Sequence, residues 1–304
     1  MAQGSDSRFS LAEWSAIWSV VVIWGVNNAA GKLATEVLPP LLVGGLRFAI
    51  VLAVLFPFIK PPFPPWRSFV PILVILGPLH FGLVYWGFSL AHNLSLFSVT
   101  LQLWIPLTAL FSWLILGEAM RPLALAGMGV AFAGVAYMTL DPGAVSDVKA
   151  VLVGVVASNF WALGTVLVRR LPRIPALKIQ SCISLLAAPV LLTAAFVTSP
   201  HIVQQARAAS ALVWWSVVFA GLVSSVFATV ALFWLVQRRE ASRFSPYLLT
   251  TPLVSSALGI GFFGDVLTVR LILGSVCALA GVAIVALAER GRGASRTAVE
   301  AGPP

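Results

Sequence analysis

The chain has 304 residues, of which 60% are hydrophobic and 10% charged, with a formal net charge of +9. A soluble domain carries about 25% charged residues, so this chain lacks the polar surface that a soluble enzyme or binding module of its length would need. Its basic residues fall between hydrophobic runs, which excludes nucleic-acid binding and gives them the task of orienting a membrane protein.

Residues 1–13 are polar, with Asp6, Arg8 and Glu13. They show no basic segment followed by a short apolar core and a cleavage site, so they read as a cytoplasmic tail ahead of a retained helix. Ten runs then reach the roughly 20 apolar residues that a helical span requires: 14–31, 38–59, 68–90, 94–116, 122–140, 149–168, 176–197, 210–236, 243–263 and 268–288. The breakers are clearest at 60–66, with four prolines, and at Asp141-Pro142-Gly143. Gly117-Glu118 is the briefest separator. A tail, 289–304, closes the chain. Continuous apolar runs exclude a β-barrel, which would alternate. The expected fold is an all-α integral membrane protein of ten transmembrane helices.

Charge placement tests the count. With the N-terminus in the cytoplasm, the inner side holds Arg8, Lys60, Arg67, Arg121, Arg169, Arg170, Arg173, Lys178, Arg238, Arg239, Arg243, Arg290, Arg292 and Arg296. The outer side holds Lys32, Lys149, Arg207 and Arg270, and Arg47 lies inside a span. That bias, fourteen against four, predicts both termini in the cytoplasm of a bacterial inner membrane.

The chain repeats itself. Gly117-Glu118, Gly127 and Gly134-Val135 recur as Gly264-Asp265, Gly274 and Gly281-Val282, at a constant offset of 147. Pro106 and Pro252 stand 12 and 13 residues before the two acids. Residues 14–141 and 149–288 therefore read as two five-span repeats. Five is odd, so the second copy enters the membrane from the opposite side. An inverted repeat is a physical route to alternating access around a central site. Small residues four apart, Gly127 with Ala131 and Gly274 with Ala278, predict close helix packing.

These residues carry a family resemblance. Trp24-Gly25, Arg47-Phe48, Pro106 through Gly117-Glu118 and Gly127 through Gly134-Val135 match, as do Pro252, Gly264-Asp265, Gly274 and Gly281. The chain resembles the EamA group of the drug/metabolite transporter superfamily over residues 14–288. It departs at Asp265, where the pattern usually has Glu, and at Ala162, where it has Gly. Its size and aromatic-rich spans look most like bacterial amino-acid exporters of the YddG type. The resemblance implies a central cavity lined by spans 1, 3, 4, 6, 8 and 9.

Polar side chains inside a span tend to face the bundle interior. The candidates for substrate binding are Asn27 and Asn28 in span 1, and His80, Tyr85 and Trp86 in span 3. Span 4 offers Gln102 and Trp104, and span 6 offers Ser158, Asn159 and Trp161. Span 8 offers Ser224 and Thr229, and span 9 Tyr247 and Thr251. Trp14, Trp18, Trp66, Trp214 and Trp215 lie near span ends and read as interfacial anchors. No acidic residue falls mid-span, which suits neutral, amphiphilic or aromatic solutes better than fixed cations. Arg47 has three readings: a structural hydrogen bonder, an electrostatic group at the cavity, or a snorkelling side chain.

Enzyme signatures are absent. There is no Walker A loop, dinucleotide fingerprint or metal-ligand cluster, and His80, His92 and His201 share no helix face. Cys182 and Cys277 sit in apolar runs as packing residues. The expected protein is a monomeric secondary exporter of neutral or aromatic amino acids, with no cofactor and no metal. The alternatives are a multidrug or quaternary-cation exporter of the same fold and a non-transporting scaffold. Coupling is either facilitative or a proton relay through His80.

Overall fold

The computed structural model describes residues 9–171, 174–236, 244 and 247–300. The described residues are helical, without strands. Eight segments among them are long and apolar enough to cross a membrane. They are α2 (Pro40–Phe58), α3 (Trp66–Leu90), α4 (Leu94–Leu116), α5 (Pro122–Thr139), the segment Pro142–Val168 whose helix proper is α6 (Val148–Val168), α7 (Ala176–Thr198), α8 (Ala211–Leu232) and α10 (Val269–Ala288). Two further helices sit at the first and ninth positions, α1 (Leu11–Val37) and α9 (Thr251–Phe263). The expected start of the ninth span, at 243, lies outside the described residues, as do Arg8, Arg173, Arg238 and Arg239.

The first helix overruns its expected bounds at both ends. Ser10 and Glu13 form a reciprocal capping box, which sets the start earlier. Its far end continues through Lys32 to Val37, where Leu38-Pro39-Pro40 breaks it. Lys32 was expected in a loop. It is instead buried, with Nζ donating to the Ala91 carbonyl at 2.8 Å.

The two halves end their fourth helices alike. Gly117 (φ 66°) and Gly264 (φ 70°) adopt the left-handed conformation that a side chain would resist. The next residue's N–H then reaches back six positions, Glu118 to Ser112 O at 3.3 Å and Asp265 to Gly259 O at 3.0 Å. Both third helices widen into a π-turn, at Ile75–Leu79 in α3 and Phe219–Phe227 in α8. In α3, Pro78 withholds an N–H from the carbonyl four residues back.

Helix α5 lies against α10 with reciprocal contacts. A Cβ on Gly134 would stand 2.6 Å from the Gly274 carbonyl oxygen, and one on Gly281 would stand 2.5 Å from that of Gly127. Each contact becomes the other when both partners shift by 147 positions. Gly134→Val and Gly281→Val are therefore each expected to destabilise the protein by more than the about 1–3 kcal/mol typical of overpacking, because the obstacles are backbone atoms. Gly129→Ala, which meets nothing within 4 Å, should leave the melting temperature unchanged or higher. Thermal unfolding in detergent checks this. A valine at position 134 with wild-type stability would refute the close approach.

Candidate functional site

The site begins with two prolines. Pro106 has no N–H for the Gln102 carbonyl, so α4 tightens there: Gln102 N bonds Val99 O, Leu103 N bonds Thr100 O, and Ile105 N bonds Gln102 O, each three residues back. That leaves the Leu101 carbonyl without its helical donor, and Ser158 Oγ of α6 donates to it at 3.2 Å. Pro252 does the same near the start of α9. Thr250 N bonds Tyr247 O and Leu253 N bonds Thr250 O. The Leu248 carbonyl, deprived of its donor, accepts from Thr251 Oγ1 at 2.7 Å. The two helices are thus broken at 102–103 and 249–250, the same place in each half.

Both breaks face one cavity of about 330 Å³. Gln102, Trp104 and Thr108 line it from α4, Leu249 and Thr251 from the second break, and Trp24 from α1. At its rim, Arg169 Nη2 reaches Glu118 Oε1 at 2.5 Å and Nη1 reaches Ser112 Oγ at 3.1 Å. Arg170 Nη2 donates to the Ile115 carbonyl, tying the end of α6 to the end of α4. Further in, Asn28 Nδ2 donates to Ser255 Oγ at 3.0 Å, and Ser255 Oγ to the Gly25 carbonyl. Among the described residues, two buried polar atoms have no hydrogen-bond partner, Asn27 Oδ1 and Ser98 Oγ. They lie one helical turn beyond Trp24 and Gln102, on the side away from Glu118. A larger cavity, about 690 Å³, lies between the proline-rich loop 57–65 and Ile174–Lys178. It is walled largely by prolines, with Lys60 and Lys178, and holds neither helix break, so size alone does not make it the site.

A second polar cluster surrounds Arg47. The guanidinium is buried, with Nε donating to Ser225 Oγ at 2.8 Å and Nη1 to Tyr85 Oη at 3.2 Å. It lies 4.3 Å from the Phe81 ring centroid. No ion pair among the described residues involves it. Ser225 in turn donates to Ala220 O, five residues back, inside the π-turn of α8. Of the three readings, the hydrogen-bonding one describes Arg47, with side-chain hydroxyls in place of helix-end carbonyls. Beside it, His80 Nδ1 meets the Ala157 carbonyl at 2.9 Å and the imidazole lies 4.7 Å from the Trp161 ring.

The opposite end of the bundle is clamped. Asp265 accepts from Leu94 N, Ser95 N and Ser95 Oγ at 3.2, 2.8 and 2.7 Å. Asp147 accepts from His92 N and Asn93 N at 2.6 and 3.2 Å. With Lys32 on Ala91 O, every residue from 91 to 95 is held by a charged side chain.

The sequence-derived candidates therefore divide. Gln102, Trp104 and Thr251 meet at the cavity, with Asn27 and Asn28 one turn deeper. His80, Tyr85 and Trp161 gather around Arg47, and Tyr85 is wholly packed. Ser158 and Asn159 serve carbonyls, Leu101 O and Val155 O. Ser224 is buried and Thr229 half-buried on α8, where the neighbouring Ser225 makes the interhelical bond. Two further candidates lie elsewhere. Trp86 is half-exposed on the stripe shared with Leu79, because one helical residue is a turn of about 100° from Tyr85. Tyr247 packs edge-on to Trp14 at 4.9 Å, in an aromatic cluster with Phe9 and Trp18. Trp24, Thr108, Glu118 and Arg169 were not among the candidates. Their signal was the paired proline, which marks a break, and a basic–acidic pair that charge counting had consigned to loops.

The EamA-like transporter family model matches residues 14–140 and again residues 148–287. The chain belongs to this family. It is 28% identical over 278 residues to the uncharacterized transporter YvbV of Bacillus subtilis, covering 88% of each chain. It is 25% identical over 292 residues to a probable amino-acid metabolite efflux pump of Salmonella typhimurium, covering 91% of this chain and 95% of that one. A solved crystal structure, 21% identical, superposes with a TM-score of 0.61 over 91% of this chain and 97% of the other, which shows the shared fold. This EamA-like transporter is thus a multi-pass membrane protein whose relatives carry transporter names, including the uncharacterized inner membrane transporter YedA of Escherichia coli, 23% identical over 270 residues and 86% of each chain.

Proposed function

We propose that this protein exports neutral or aromatic amino acids and related small metabolites by alternating access. It does so as ten spans in two inverted repeats, working as a monomer with both termini in the cytoplasm of the inner membrane. The observation that carries the reading is the meeting of two proline-broken helices at one cavity. Broken helices are where transporters expose backbone groups to a solute near the middle of the bilayer, and here two indoles, an amide and two threonine hydroxyls flank them. The efflux-pump name of one relative points the same way. In the orientation favoured by the basic residues, Glu118 and Arg169 face the cytoplasm and the clamp on 91–95 faces outward. The structure then reads as an inward-facing state. Burial of His80 against a carbonyl and an indole favours a packing role for it, and with it facilitative export down a solute gradient.

The test is counterflow of labelled phenylalanine in proteoliposomes, with a quaternary ammonium as the competing class. Saturable phenylalanine exchange that the cation leaves unaffected is the expected result. Cation flux without amino-acid flux would replace this reading with a multidrug one, and no flux of either would leave a scaffold. Trp104→Ala should raise the half-saturating phenylalanine concentration about threefold to tenfold relative to leucine, the worth of one aromatic contact.

A further inference from the structure

We propose that the cavity between the proline-rich loop 57–65 and the start of α7 binds the headgroup of an anionic phospholipid. The inference needs only that the chain spans a bilayer, whichever solute it carries. One wall comes from each half of the chain. Residues 57–65 join α2 to α3, and Ile174, Pro175 and Lys178 lead into α7. The enclosed volume is about 690 Å³. Lys60 stands on the first wall and Lys178 on the second, and the described lining includes no acidic residue. Neither lysine joins an ion pair among the described residues. Lys178 is held in place, with Nζ donating to the Pro62 carbonyl at 2.6 Å and lying 4.9 Å from the Phe63 ring centroid.

The backbone adds to the positive field of the lysines. Pro65 and Pro175 both line the cavity, and they are the N-caps of α3 and α7. A proline side chain offers no acceptor, so neither helix has a side-chain cap and both positive ends border the same space. These features would suit any phosphate. The rim selects a lipid. Trp66 is exposed at the start of α3, with its ring 6.0 Å from that of Phe63, and an exposed indole at a span end sits at headgroup level. Phe56 and Phe58 are exposed on the other flank. A soluble phosphate has no use for these rings. A phospholipid engages both sets, its phosphate on the lysines and its acyl chains along the phenylalanines.

Native mass spectrometry of the full chain tests this, with release from detergent micelles doped equally with dioleoyl phosphatidylglycerol and dioleoyl phosphatidylcholine. One phosphatidylglycerol should be retained at least about tenfold over phosphatidylcholine. Lys60→Gln or Lys178→Gln should weaken its binding about fivefold and the double variant about thirtyfold, the worth of one and two basic groups at an anionic surface. Lys60→Arg and Lys178→Arg should retain it. Lys149→Gln with Arg207→Gln removes the same charge at the other end of the bundle and should leave the preference intact. Glycerol phosphate, the headgroup without chains, should displace the lipid only at about a hundredfold higher concentration or more. Equal retention of the two lipids would overturn the inference, as would full retention in the double glutamine variant or an equal loss in the far-side variant. Displacement by glycerol phosphate at matched concentration would make the cavity a soluble-phosphate site and overturn the lipid assignment. None of these outcomes bears on amino-acid export, which phenylalanine counterflow tests separately.

Discussion

Arg47→Ala is expected to lower the melting temperature of the detergent-solubilised protein by roughly 5 °C or more and to abolish solute exchange. The arginine joins three helices. It donates from α2 to Tyr85 on α3 and to Ser225 on α8, with Phe81 against its face. Removing it takes the donor from Tyr85 Oη, leaves Ser225 Oγ only its bond to Ala220 O, and opens a void; a buried unsatisfied group costs about 1–3 kcal/mol. The relief of taking a cation out of an apolar interior offsets part of this. Arg47→Met, which fills the space without the charge, should lose less stability than Arg47→Ala. Arg47→Lys should lose exchange too, because a single ammonium does not reproduce the fork that spans Tyr85 and Ser225. Tyr85→Phe and Ser225→Ala, each combined with Arg47→Met, should add little beyond Arg47→Met alone. Wild-type stability and flux in Arg47→Met would remove the arginine from its joining role.

Asp265→Ala is expected to release the clamp at the start of α4. The buried carboxylate accepts from the N–H groups of Leu94 and Ser95 and from the Ser95 hydroxyl. It is a cap donated from the other half of the chain, at the helix end where a negative charge is favoured. The loss should be about 1.5–3 kcal/mol, the range for hydrogen bonds to a charged group. Asp265→Asn retains one acceptor and should lose less. The functional consequence is a shift of population toward a state open on that side. A reporter is available in Ser98→Cys, with Cys182 and Cys277 replaced by serine. Ser98 is buried, and its hydroxyl has no partner among the described residues. Asp265→Ala should raise its reaction rate with an impermeant maleimide about tenfold, the equivalent of a 1.4 kcal/mol bias. An unchanged rate would mean that the clamp on 91–95 is structural and does not gate.

Much of this protein is legible along the chain because the responsible interactions are local or periodic. Apolar runs specify spans, since the bilayer demands length and internally satisfied backbone. Gly117 and Gly264 mark helix ends because only glycine takes the left-handed turn without strain. The small residues Gly127 with Ala131 and Gly274 with Ala278 predict a close helix approach, and the α5–α10 contact has it, with Gly134 against Gly274 and Gly281 against Gly127. Pro106 and Pro252 announce the helix breaks through the N–H that each lacks.

The tertiary structure alone decided which way each helix turns and who meets whom. Tyr85 and Trp86 are neighbours in sequence, yet one is packed against Arg47 and the other is half-exposed. In a lipid-solvated helix nearly every position is apolar, so the hydrophobic pattern that reveals rotation in a soluble helix is faint. Asp265 and Ser95 are 170 residues apart and Arg47 and Ser225 are 178 apart. No local rule couples them, and only the closure of the two halves brings each donor to its acceptor. The cavity belongs to the same class of fact. Glu118 and Arg169 count along the chain as two loop charges and become the rim of a site only when α4 and α6 end side by side.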